Sequence, residues 1–186
     1  MLRKNILLHC TLLLMMFFSV RAHAAKFDFY FGAFDFSAQT ASSEGSASGL
    51  GLYKINYSLP ILNNLEAGLG YTVILADTVG GDALFGFDIE VSYFPLTAAG
   101  PLKIQTENTQ AIAEALWRPF VMFGYAARQI QSVSTQYNGV SFGAGVERAL
   151  DMKFNFKGLV RYATMAGPNE GEATELGIMG GISFNF

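Results

Sequence analysis

Histidine, cysteine and close pairs of carboxylates are the residues that most often run hydrolytic or metal chemistry, and here they are unevenly placed. Both histidines, His9 and His23, and the one cysteine, Cys10, fall within the first two dozen residues. Arg3 and Lys4 precede an almost wholly apolar run from Ile6 to Val20, and Ala22-His23-Ala24 follows it. A basic start, a short apolar run and a small-x-small ending make a secretory leader, so residues 1–24 are predicted to be removed after Ala24. The run is shorter than the roughly 20 residues of a spanning helix. The exported chain, residues 25–186, then has no imidazole and no thiol. That rules out a Ser-His-Asp triad, a Cys-His pair and a His-ligated zinc site, and also any disulfide. What remains for acid–base work is Asp88 with Glu90, two positions apart. The same spacing makes an ordinary charge cluster on one strand face, and no catalytic, cofactor or metal site is predicted.

The whole sequence holds 15 acids and 12 bases. Arg3, Lys4 and Arg21 leave with the leader, so the exported chain carries a net charge of −6. A nucleic-acid-binding protein would want a basic face. Charged residues make up only 15% of the chain, against about 25% in ordinary soluble domains.

The elements that must carry these residues alternate with a period of two, the mark of half-buried strands. Phe27, Phe29 and Phe31 share one face, with Asp28, Tyr30 and Gly32 on the other. The same alternation recurs near 50–59, 65–75, 85–93, 118–128, 140–147, 154–162 and 175–186. Eight strands of roughly 9–11 residues result, the length that crosses a bilayer at a tilt. Segments 37–49, 77–83, 129–138 and 163–174 read as polar loops, and 60–64 and 149–152 as short turns. Longer loops on one side and short turns on the other fit a transmembrane barrel. The connection 95–117 is longer, and Gln110 to Leu116 has helix-forming composition. It reads as a short helix or a folded-back flap, with a strand near Lys103 to Gln105 as a further reading.

Alternation alone does not say which face points inward. A soluble lipocalin-like barrel puts its apolar face inside, and a membrane barrel puts it outside. Three features favour the second. The polar face is rich in glycine, which leaves room in a narrow lumen for long charged side chains. It carries Asp28, Glu66, Asp88, Glu90 and Glu147 against Lys54, Arg118, Arg128, Lys157 and Arg161, five charges of each sign that can neutralise one another. Aromatic residues stand near the strand ends on the apolar face: Phe27, Tyr57, Tyr93, Phe154 and Phe186 at one rim, Phe85, Tyr125, Phe142 and Tyr162 toward the other. Leu50, Leu52, Phe120, Met122, Leu159 and Met179 also fall on the inward side, as cavity lining or as core filler.

These segments resemble the small eight-stranded outer-membrane barrels of Gram-negative bacteria, the OmpA-like, OmpX-like and OmpW-like group. The resemblance covers 25–186 and is most specific in Gly139 to Leu150, Met152 to Tyr162 and Gly181 to Phe186. It implies an all-β fold, an eight-stranded antiparallel up-and-down transmembrane β-barrel, in the bacterial outer membrane. It also implies that the barrel assembly machinery reads the terminal strand, with Ile182, Phe184 and Phe186 as the signal. The expected role is structural or surface-interacting and not enzymatic, with the lumen plugged by ion pairs. The expected surroundings are outer-membrane lipid and lipopolysaccharide, and the expected state is a monomer. An OmpW-like narrow channel, or a binder of small apolar molecules, is the alternative.

Overall fold

The computed structural model describes residues 25–40, 43–75, 83–96, 103–106, 109–112, 117–131, 135–151 and 153–186. The predicted leader, residues 1–24, lies outside the described residues. Ten strands follow in order: β1 (Lys26–Thr40), β2 (Ser43–Leu62), β3 (Leu65–Leu75), β4 (Ala83–Tyr93), β5 (Lys103–Thr106), β6 (Thr109–Ile112), β7 (Trp117–Ile130), β8 (Thr135–Ala149), β9 (Phe154–Ala166) and β10 (Glu172–Asn185). Eight of them close into a barrel in the ring order β1-β10-β9-β8-β7-β4-β3-β2. Every neighbouring pair is antiparallel, and β1 against β10 closes the ring from Lys26↔Asn185 to Gln39↔Glu172. Full closure leaves no open edge around the barrel wall.

The strand faces follow the alternation. Phe29, Phe31, Tyr53, Leu69, Phe87, Ile89, Phe123, Phe142, Val160 and Ile178 are exposed on the outside. Lys54, Asp88, Arg128, Glu147 and Arg161 are almost completely enclosed within. Such an outside is stable only against hydrocarbon, and no soluble barrel inverts its polarity in this way. The structure is therefore a transmembrane up-and-down barrel.

The strands are longer than the alternation alone suggests. β1 and β2 run 15 and 20 residues, so most of 37–49 is paired strand, with Ala38↔Gly45 and Gln39↔Glu44 in register. The serines, glycines and alanines there read as loop, but ladder hydrogen bonds are made by backbone and accept small side chains. Much of 129–138 and parts of 163–174 are likewise strand. Most of 77–83 lies outside the described residues.

Polarity changes along the barrel axis. Above a row marked by Tyr125, Phe142, Tyr162 and Leu176, the outward residues become Asp35, Gln129, Gln136, Thr164 and Glu172. At the same height the interior becomes an apolar core of Phe34, Phe36, Ile74, Leu84, Tyr137 and Met165. The strands thus leave the apolar belt and continue as a small conventional β-core beyond it.

The ladder slips at two places, in β1 against β2 and between Pro60 and Leu62 in β2 against β3. The pairing of β1 with β2 slips between Gly32 and Ala33, opposite Leu52 and Leu50. Gly51 sits in this bulge with φ 149°, and a Cβ there would lie 2.5 Å from the Leu75 carbonyl oxygen. The extra residue turns Leu50 outward, where it is 73% exposed. It is therefore not an inward residue, although simple alternation from Leu52 puts it there. Pro119 is tolerated in β7 because β4 ends at Tyr93↔Val121, so at this height β7 pairs only with β8.

The 95–117 connection contains no helix among its described residues. Lys103–Thr106 and Thr109–Ile112 pair instead as a two-stranded sheet of their own. The Thr106↔Thr109 pairing leaves a two-residue link, Glu107-Asn108, the commonest hairpin length. This local pairing outweighs the helix propensity of Gln110 to Ile112. Residues 113–116 lie outside the described residues. Gly51→Val is expected to lower the unfolding midpoint in detergent micelles, with a loss of about 1–3 kcal/mol from backbone strain. An unchanged midpoint would contradict the constraint assigned to the bulge.

Candidate functional site: a charge-lined lumen

The lumen is built by inward residues of all eight barrel strands. Two tiers of ion pairs fill it. The first lies toward the end that holds both chain termini. There Lys26 of β1 is paired with Glu66 of β3 and reaches Glu147 of β8 at 3.1 Å. Glu147 is also paired with Arg118 and lies 3.5 Å from Lys157. Lys157 donates to Asp28 at 3.0 Å. Asn56 donates to Asp28 at 3.2 Å, and Asn155 to Glu147 at 2.9 Å.

The second tier lies deeper, toward the far end. Asp88 of β4 receives Arg161 at 2.7 Å, Arg128 at 3.0 Å and the Thr72 hydroxyl at 2.5 Å. Glu175 of β10 accepts from Arg128 Nε at 2.6 Å and is also paired with Arg161. Lys54 is paired with Glu90 and stands 3.9 Å from Asp88.

Each tier is neutral by itself. Lys26, Arg118 and Lys157 face Asp28, Glu66 and Glu147, while Lys54, Arg128 and Arg161 face Asp88, Glu90 and Glu175. All twelve are buried. Some pairs join elements far apart in sequence, Lys157 to Asp28 across 129 positions and Lys26 to Glu147 across 121. In the ring order the strands of Lys26 and Glu147, β1 and β8, stand three apart, as do those of Arg161 and Asp88, β9 and β4, so these two bonds cross the lumen. Glycines make room for them: a Cβ on Gly70 would come within 2.9 Å of Lys54 Cε, and one on Gly68 within 2.9 Å of Asn56 Oδ1.

All ten charged residues picked out from the sequence lie in these tiers. Two further members were missed. Lys26 sits at the start of the first strand, just ahead of the stretch whose alternation is visible. Glu175 lies on the inward face of the last strand with Gly177, Met179 and Ser183, so its parity was a usable signal. Asp88 and Glu90, the pair considered for acid–base work, are each held by cations.

Aromatic side chains close the first tier. Phe94 follows β4 and folds into the lumen, where it is 1% exposed. Its amide donates to the Asn64 carbonyl at 2.9 Å. Its ring stands 5.4 Å from Phe120, with Lys26 at 5.3 Å and the Arg118 guanidinium at 5.0 Å over its face. Phe94 was not singled out in the sequence, because an apolar residue followed by Pro95 looks like the end of a strand. Between the tiers lies a cavity of about 10 Å³ lined by Asp28, Asn56, Ser58, Glu90 and Met122, among others, room for about one water molecule. Leu52, Phe120, Met122, Leu159 and Met179 are buried and join the interior packing.

At the closing seam, Phe186 donates its amide to the Ala25 carbonyl at 2.9 Å and is 71% exposed. Phe184 packs edge-on against Phe154 at 4.9 Å and Phe29 at 6.2 Å. Ile182 faces outward at 47% exposure.

Removing one partner of a buried pair leaves an uncompensated charge, at about 3–5 kcal/mol. Arg128→Ala strips a cation from both Asp88 and Glu175 and is expected to cost that much in urea unfolding in micelles. The double replacement Lys54→Met with Glu90→Leu is expected to recover most of the stability lost in either single variant. Additive losses would contradict the pairing.

No protein-family profile and no curated protein matches the sequence. Among solved structures, the chain is similar to Neisserial surface protein A, with a TM-score of 0.58 and 15% identity, covering 86% of this chain and 97% of that one. The N-terminal barrel domain of Pseudomonas aeruginosa OprF follows at 0.47 and 18%, with 87% and 97% covered. Pseudomonas aeruginosa OprG scores 0.48 at 11% identity, with 88% and 97% covered. The first likeness is one of fold, and the fold is that of the small eight-stranded outer-membrane β-barrels.

Proposed function

We propose that the chain is an integral outer-membrane barrel with a structural or surface-interaction role, without catalysis, and with a lumen closed to ions. The observation behind this reading is the pair of neutral tiers. An ion passing through would have to break several cross-lumen pairs at once, each in a site of low polarity. Phe94 adds an apolar barrier at one end, and the Phe34, Phe36, Ile74, Leu84 and Tyr137 core adds a second at the other. The cavity between the tiers, lined by described residues, has room for about one water and none for an apolar ligand.

In this reading residues 1–24 direct export, and the end with the termini and the short turns faces the periplasm. The far-end hairpins then stand at the cell surface. Their exposed acids, Asp35, Glu44, Glu170 and Glu172, meet the lipopolysaccharide layer. Asp77 and Asp82, acidic in the sequence, lie outside the described residues. The barrel assembly machinery reads Ile182, Phe184 and Phe186 on the terminal strand, and the barrel stays monomeric.

Protein inserted in a planar bilayer, with insertion proven by different mobility of boiled and unboiled samples, is expected to give no conductance steps. Reproducible steps would overturn the closed lumen and favour the conduit. Deleting Phe186 is expected to lower the amount of heat-modifiable barrel in the outer-membrane fraction severalfold. Wild-type amounts would remove Phe186 from the assembly signal.

A further inference from the structure

Six of the cations with described side chains are spent in the lumen. The two left on the outer surface are Arg148 and Lys153. Both lie at the terminus end, at and beside the turn that joins β8 to β9. The far end exposes Asp35, Glu44, Glu170 and Glu172 and no base among the described residues. The outer surface is therefore polarised along the barrel axis.

Arg148 faces outward from β8, between Trp117 of β7 and Phe156 of β9 in register. Its guanidinium stands over the Trp117 ring at 5.1 Å. It forms no ion pair among the described residues. The nearby turn carboxylate of Asp151 is engaged, accepting from the amides of Lys153 at 2.6 Å and Phe154 at 2.8 Å. Around the two cations, Leu150, Trp117, Phe156 and Phe154 are 60%, 52%, 42% and 36% exposed.

We propose that Arg148 and Lys153, with Trp117 as the platform, hold the headgroup phosphate of an anionic phospholipid in the leaflet at the terminus end. The proposal rests on the transmembrane reading above. Arginine presents a planar fork that matches phosphate oxygens, and stacking on an indole fixes its orientation. Tryptophan at the height of lipid headgroups is the ordinary interfacial anchor. Charge complementarity selects an anionic lipid, since among the described residues two bases face it against one acid, Asp151, which is turned to the amides of Lys153 and Phe154. The exposed apolar residues select a lipid over a free phosphate ion, because its acyl chains cover Leu150, Phe154 and Phe156 while a soluble anion leaves them bare.

Trp117 is the only tryptophan in the chain, so its fluorescence reports this site alone. The protein is refolded into phosphatidylcholine vesicles containing a small fraction of brominated lipid, either phosphatidylglycerol or phosphatidylcholine. Brominated phosphatidylglycerol is expected to quench Trp117 more strongly, with a preference of about fivefold for each base engaged. Lys153→Gln keeps the Arg148–Trp117 stack and is expected to lose part of that preference, and Arg148→Gln with Lys153→Gln all of it. Equal quenching by both lipids in the unaltered protein would overturn the proposal, as would an undiminished preference in the double variant. Failure of the unaltered protein to insert, read by identical mobility of boiled and unboiled samples and by no quenching in any vesicle, would overturn the transmembrane reading and the lipid site with it. Normal insertion without preference sinks the lipid site alone.

Discussion

A buried charge is tolerable only when its partner is in place, and the interior of this barrel is organised around that condition. Twelve buried charged side chains form two tiers of zero net charge. Some pairs cross the lumen, as Lys26 with Glu147 and Arg161 with Asp88 do, and others tie neighbouring strands, as Arg118 with Glu147 and Arg161 with Glu175 do, so a strand shifted by one residue would turn its charges into lipid and strand the partners. Hydrophobic burial is weakly specific here, because the apolar face meets fluid hydrocarbon that accepts many arrangements. Register is instead fixed by the contents of the lumen. The glycines opposite the long side chains serve the same end, since added bulk at Gly68 or Gly70 would displace Asn56 or Lys54.

The interior also explains departures in the wall. Pro119 stands where β4 has already ended, and the gap in the wall's inner lining at this height is filled by Phe94. That ring then becomes the platform over which Lys26 and Arg118 settle. A proline set where the neighbouring strand has already ended and a phenylalanine that leaves the wall for the lumen belong to one local solution.

Much of this was legible in the sequence because strand parity is a binary code, and a charged residue on the glycine-rich face has one place to go. Asp28, Lys54, Glu66, Asp88, Glu90, Arg118, Arg128, Glu147, Lys157 and Arg161 follow from parity alone. Parity failed where the backbone inserted a residue, as at Gly51, which turned Leu50 outward. It also failed where small polar residues kept pairing, as in Ser43 to Gly49, because ladder hydrogen bonds leave no trace in side-chain chemistry. Lys26 was hidden by its position at the start of a strand. The hairpin of β5 and β6 competed with real helix propensity in Gln110 to Ile112, and the backbone pairing of Lys103–Thr106 with Thr109–Ile112 prevailed. Which charge pairs with which was beyond the sequence, since Lys157 and Asp28 meet only once the ring has closed.

The reversal of polarity part-way along the strands gives the barrel a waterline. Sliding outward by one pair of residues would lift Tyr125, Phe142 and Leu176 into water. Sinking by the same amount would bring Asp35, Gln129 and Thr164 into hydrocarbon. Either displacement is opposed from several strands at once, so the barrel's vertical position is fixed even where its lateral surroundings are fluid. The bilayer must then adapt its thickness to the barrel, at a fraction of a kcal/mol for each ångström of mismatch. A barrel of this kind rides at one draught, and lipids of unsuitable chain length gather elsewhere.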